Sequence, residues 1–215
     1  MMGMQVLAGI IVGGCALAYA LGPGYRAQRI YGKRFSHEPT WWDGRAAIAV
    51  LTLAIGAVCL AGTWGSANVV LTLPVLIFGP TLALIDLAVH RLPNAINLAF
   101  AVATVAAVIV ASALDGDATR LVRMVCAGAL FGLLFLLSNF VRGGFGMGDV
   151  KLAPSAFGMA AAASLTGLGI MTIVTFVGAG LAALILVGLK RATMSSALPM
   201  GPWIIPGLVA AIAAS

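Results

Sequence analysis

The chain has 215 residues, 62% of them hydrophobic and 8% charged, a balance that excludes an ordinary water-soluble domain and predicts an all-α polytopic membrane protein. Its net charge of +6 would suggest nucleic acid in a soluble chain. Here the basic residues cluster in short segments between apolar runs, where positive charge at the cytoplasmic border explains them, and no nucleic acid is expected.

A bilayer crossing takes about 20 apolar residues. In chain order, eight transmembrane or partly inserted helices are predicted near 4–22, 46–63, 69–89, 95–113, 121–141, 152–164, 167–189 and 201–214. No Lys or Arg precedes Arg26, so Ala18-Tyr19-Ala20, which imitates a cleavage site, is expected inside a retained first helix with its N-terminus outside. Residues 23–45 read as a short basic cytoplasmic loop in which Trp41 and Trp42 anchor at the interface, and 46–215 as the main body of a single membrane-embedded domain, 1–215. The sixth and eighth segments are short for a full crossing. Gly9 with Gly13 and Gly128 with Gly132 form GxxxG pairs, which a chain holding 27 glycines produces close to chance. Cys15, Cys59 and Cys126 stand singly in apolar runs, without a CxxC pair, and read as small buried hydrophobes.

With the N-terminus outside, ten of the twelve Lys and Arg fall in cytoplasmic loops 23–45, 90–94, 142–151 and 190–200, and only Arg120 and Arg123 lie opposite. The six acidic residues divide unevenly. Glu38 and Asp43 lie in the polar stretch and Asp115 and Asp117 in a short turn, but Asp86 sits near the end of segment three and Asp149 just before segment six. A carboxylate at a membrane boundary is costly and is usually kept for function. Both acids fall on the cytoplasmic boundary, where a pair could share a proton and do acid–base chemistry on water.

Segment three should stop near Pro93, which cannot continue a helix without losing a backbone hydrogen bond. Asp149 is expected as the N-cap of segment six, ionised at the positive helix end, with the proton on its partner. Gly143, Gly144, Gly146 and Gly148 would let an extended peptide backbone approach; a flexible re-entrant loop explains them equally well. His90, four residues after Asp86, shares its face if the helix persists, but no second ligand supports a metal. Lys151 either tunes Asp149 or marks the cytoplasmic border, and Met147 fills space.

Asp86 followed by Leu92-Pro93-Asn94, then Gly146-Met147-Gly148-Asp149 with Lys151-Leu152, and finally Pro199-Met200-Gly201-Pro202 resembles the type IV prepilin peptidases, intramembrane aspartyl proteases of the GxGD type. The resemblance covers 46–215, with the motifs in the same order. It implies that Asp86 and Asp149 are the catalytic pair, with Gly146, Gly148, Lys151, Pro93 and Asn94 shaping the site and no metal or cofactor. It also implies a substrate: the leader of a prepilin or pilin-like precursor, cut at the cytoplasmic face of the cell membrane. The lipid bilayer and a pilus or secretion machinery are the other partners implied. Many long members carry a cysteine-rich cytoplasmic insertion after the first helix and also N-methylate the product. Residues 23–45 contain no cysteine, so cleavage without methylation is expected. Two other classes compete: a proton-coupled transporter, against which both acids sit at one boundary, and a non-catalytic scaffold of a secretion assembly.

Overall fold

Each of the eight predicted runs carries a helix in the computed structural model, which describes residues 12–36, 38, 40, 44–138, 140, 146–190 and 200–215; no strand occurs among them. Helix α1 covers residues 12–19 and passes through a π-turn, Ala20–Gly24, into α2, Tyr25–Arg34. Then follow α3 (Arg45–Thr63), a 3₁₀ turn (Ala67–Leu71), α4 (Thr72–Val89), α5 (Asn94–Asp115), α6 (Thr119–Ser138), α7 (Met147–Ala163), α8 (Leu165–Gly188) and α9 (Gly201–Ala213).

Among the described residues, five helical stretches are long and apolar enough to cross a membrane: Arg45–Thr63, Ala67–Val89, Asn94–Asp115, Thr119–Ser138 and Leu165–Gly188. Their outward faces carry large exposed apolar side chains, among them Leu53, Leu98, Val102, Leu133 and Leu184, which suit hydrocarbon rather than water. The protein is an all-helical polytopic membrane protein. Helix α7 has 17 residues and α9 has 13, both short of a full crossing.

The stretch 23–45 departs from the expected loop, because helix continues through Arg34. Pro23 has no N–H to donate, and the wider π-turn accommodates it where an α-turn would break. Tyr19 meets Phe78 edge-on at 5.2 Å, and α2 goes on to pack against α4. Trp41 and Trp42 lie outside the described residues.

Helix α7 forms the centre. Leu152, Ala153 and every residue from Ala156 to Ala162 are buried, as expected of a helix that is apolar all round. Gly128 and Gly132 on α6 both face Pro154 of α7; a Cβ at Gly128 would lie 2.8 Å from the Pro154 carbonyl oxygen, and one at Gly132 2.9 Å from Pro154 Cγ. This GxxxG pair is therefore a true close contact, not the chance match its frequency suggests. Phe131 stacks on Phe157 at 3.9 Å on the same interface. Only Cys59 of the three cysteines is buried; Cys15 and Cys126 are exposed.

At the end of the bundle where α5 turns into α6, the Arg120 guanidinium is buried. It donates to Asn68 Oδ1 at 2.6 Å, to the Ala162 carbonyl at 3.1 Å and to Asp115 Oδ2. Asn68 in turn donates to Ser215 Oγ at 2.9 Å.

Candidate active site

At the other end of the bundle, Asp86 arrives on the last turns of α4 and Asp149 on the first turn of α7; both are buried, at 3% and 4% exposure. What lies between them is the start of α9. The first amides of a helix have no partner inside it and form its positive end. The Gly201 N–H donates to Asp86 Oδ2 at 2.9 Å, and the Met200 and Gly201 amides also reach the Asp149 carboxylate. Gly201 is required for this approach: a Cβ there would lie 2.7 Å from Asp86 Oδ2 and 2.9 Å from its Cβ.

Residues around the two acids hold α7 against the turn between α4 and α5. That turn opens at His90, whose left-handed backbone (φ 51°) ends α4 while its N–H donates to the Asp86 carbonyl at 2.8 Å. Pro93 is the extended N-cap residue of α5, and its carbonyl accepts from the Asn97 N–H at 3.0 Å. Gly148 rests against Leu92, where a Cβ would come within 2.9 Å of the leucine Cβ. Asn97 Nδ2 donates to the Gly148 carbonyl at 3.2 Å, and Lys151 Nζ donates to Asn94 Oδ1 at 2.9 Å. Asn94, Pro93, Gly148 and Lys151 thus meet in one place, beside Asp149.

Several expectations are corrected here. Asp149 is the third residue of α7, and Gly146 is the N-cap, accepting from the Asp149 N–H at 3.0 Å. The GMGD segment is therefore helical from Met147 on, not a flexible loop. Nor does the helix end leave Asp149 readily ionised. Burial, and after it the Asp86 charge, push its carboxyl up to about 7, against the pull of the Met200, Gly146 and Gly201 amides. His90 is exposed and one residue beyond α4, so it does not continue the face that carries Asp86. Among the described residues no three of His, Cys, Asp and Glu gather as metal ligands. Gly143, Gly144 and Pro199 lie outside the described residues.

Asn97 and the Met200–Gly201 amides are contributions that sequence reading missed. Asn97 offered a faint signal as an amide inside an apolar run. The resemblance singled out Pro199–Pro202 without giving it chemistry, and that its contribution is two backbone amides has no sequence signal, since any residue but proline has one. With its carboxyl pushed up to about 7, Asp149 is still partly protonated near neutrality, beside a second buried acid. One oxygen, Asp149 Oδ1, is buried without a hydrogen-bond partner among the described residues. Such a pair can take a proton from water and give one to a leaving group.

A model of the type IV leader peptidase family matches residues 71–188, a span that takes in Asp86, Leu92-Pro93-Asn94 and Gly146–Asp149 but stops before α9. No curated protein and no solved structure matches the chain. The family match covers more than half of the sequence, and on that ground the chain belongs to the type IV leader peptidase family.

Proposed function

We propose that this leader peptidase is an aspartic-type endopeptidase whose catalytic pair is Asp86 and Asp149, and that it removes the leader from type IV prepilin or pilin-like precursors. The observation that carries this reading is that the start of α9 meets both buried acids: the Gly201 N–H donates to Asp86 Oδ2 at 2.9 Å, and the Met200 amide draws the Asp149 carboxyl down. In the reaction, the ionised member of the pair takes a proton from water as it attacks the scissile carbonyl. The protonated member donates to the carbonyl oxygen, and the leaving amine is protonated as the tetrahedral intermediate collapses. No covalent intermediate forms. The basic residues that flank this end of the bundle, Arg91 and Lys151 among them, favour a cytoplasmic position for the site. Residues 23–45 lack the cysteines of the methylating long forms, so the product is left unmethylated or is modified by another protein.

The test is co-expression with candidate precursors, following leader removal. Asp86→Asn and Asp149→Asn should each abolish processing while membrane insertion is retained. Undiminished cleavage by either inserted variant removes the pair from the mechanism. Cysteine accessibility should place residues 142–151 inside; labelling from outside overturns the orientation.

A further inference from the structure

Helix α2 runs beside the second half of α4, in the same direction and in step with it. Gly24 lies against Thr81, where a Cβ would come 2.5 Å from the threonine hydroxyl. At the far end, the Arg91 guanidinium covers the Phe35 ring at 5.0 Å. These contacts are eleven residues apart on one chain segment and ten on the other, so Gln28 and Arg29 come level with Ile85 and Asp86.

At 3.6 residues per turn, Arg26, Arg29, Ile30, Lys33 and Arg34 fall within an arc of about 140°. All five are exposed, and Ile30 is 62% exposed in the middle of the four cations. The opposite face holds the buried Gln28. None of the four cations has a carboxylate partner among the described residues; the ion pairs there belong to Arg120 and Arg123. By contrast, Arg45 lies over the Tyr25 ring at 5.0 Å and Arg91 over Phe35, so those two exposed cations already have an aromatic partner.

We infer that the outward face of α2 is a binding surface for acidic phospholipid headgroups, placed at the depth of Asp86. Charge complementarity selects the partner: four exposed cations that have no carboxylate partner among the described residues favour anions. The large apolar Ile30 among them, on a helix that continues directly from an apolar one, suits the boundary between headgroups and acyl chains better than a nucleic acid or an acidic peptide. A headgroup layer held at this level keeps the candidate pair at the wet edge of the bilayer, outside the hydrocarbon. This inference does not depend on the peptidase reading.

The experiment uses the full chain in phosphatidylcholine membranes doped with spin-labelled phosphatidylglycerol or, separately, spin-labelled phosphatidylcholine. The wild type should hold phosphatidylglycerol at least about fivefold more strongly, a preference that fades between about 0.05 and 0.5 M salt. The Arg26→Gln/Arg29→Gln/Lys33→Gln/Arg34→Gln variant should show a ratio near one, and a Lys190→Gln control should keep the wild-type ratio. An unchanged ratio in the fourfold variant, or no preference in the wild type, overturns the inference. Should the fourfold variant fail to insert, a photo-crosslinker replacing Ile30 decides. Capture of acidic phospholipid supports the surface, and capture of protein or nucleic acid in its place overturns it.

Discussion

At Gly201 the amide and the missing side chain act together. The N–H donates to Asp86 Oδ2 across 2.9 Å, and a Cβ would meet that same oxygen at 2.7 Å. Gly201→Ala must therefore push α9 from α4 by several tenths of an ångström, and we expect leader processing to fall by tenfold or more while insertion persists. An alanine variant with wild-type turnover would show that the carboxylates do not need this donor. The Asp149 carboxyl is raised to about 7 by burial and then by the Asp86 charge. In the unfolded chain it ionises near 4, so between about 4 and 7 the folded protein holds a proton that the unfolded chain does not. The stability from this group is complete below pH 4 or so and is lost as pH rises through about 7. A pair that works with one proton should likewise lose kcat/KM above about pH 7, approaching tenfold per unit. In Asp86→Asn, which removes the like charge and keeps the burial, the Asp149 carboxyl band in infrared titration should move below about 7. A midpoint unchanged or raised contradicts a charge held between the two.

Helix α7 shows how an element is positioned by contacts of unequal worth. The Asn97 amide is buried and holds the Gly148 carbonyl next to Asp149, whereas the Lys151 bond to Asn94 is exposed. Asn97→Ala should cost about 1–3 kcal/mol by removing a buried side chain together with its bond to the Gly148 carbonyl, and should slow processing with it. Lys151→Ala should stay within about 0.5 kcal/mol. Thermal unfolding in reconstituted membranes compares them, and the reverse order would mean that the exposed pair sets the position of α7. The same elements show what the sequence could tell. Apolar runs are legible because their length alone answers the bilayer, and all eight carry helices. The continuation of α2 past Pro23-Gly24 is not, because its stability comes from packing on α4. The start of α7 at Met147 is obscured by the glycines of GMGD, which locally argue for a loop, while the contact of Gly148 with Leu92 is visible only once the chain folds back. Asp86 and Asp149 stand out because acids are few here. The bond from the Gly201 amide to Asp86 joins residues 115 positions apart and has no local trace.

Across the whole molecule, polar interactions collect at the two ends of an apolar bundle, and α7 links them. Asp149 lies in its first turn, and the Ala162 carbonyl in its last turn accepts from Arg120. Thirteen residues at 1.5 Å each put about 20 Å between the two ends. Arg120 also binds Asn68 and Asp115, and through Asn68 reaches Ser215, so one buried side chain fastens α5, α6, α7 and the segment after α9. Cations near a helix C-terminus also favour its negative end. Arg120→Met keeps the length and removes every donor, leaving Asn68 Oδ1 and the Ala162 carbonyl unpaired, for a loss of about 1–3 kcal/mol. If Arg120 only fastens the far end, thermal stability should drop while the pH profile of the remaining leader processing keeps its midpoint near 7, because no charge within reach of Asp149 has changed. A shifted midpoint with unchanged stability would instead make Arg120 an electrostatic partner of the site, acting along the α7 axis. Measuring both quantities on one reconstituted sample separates a bolt at one end of the bundle from a lever on the chemistry at the other.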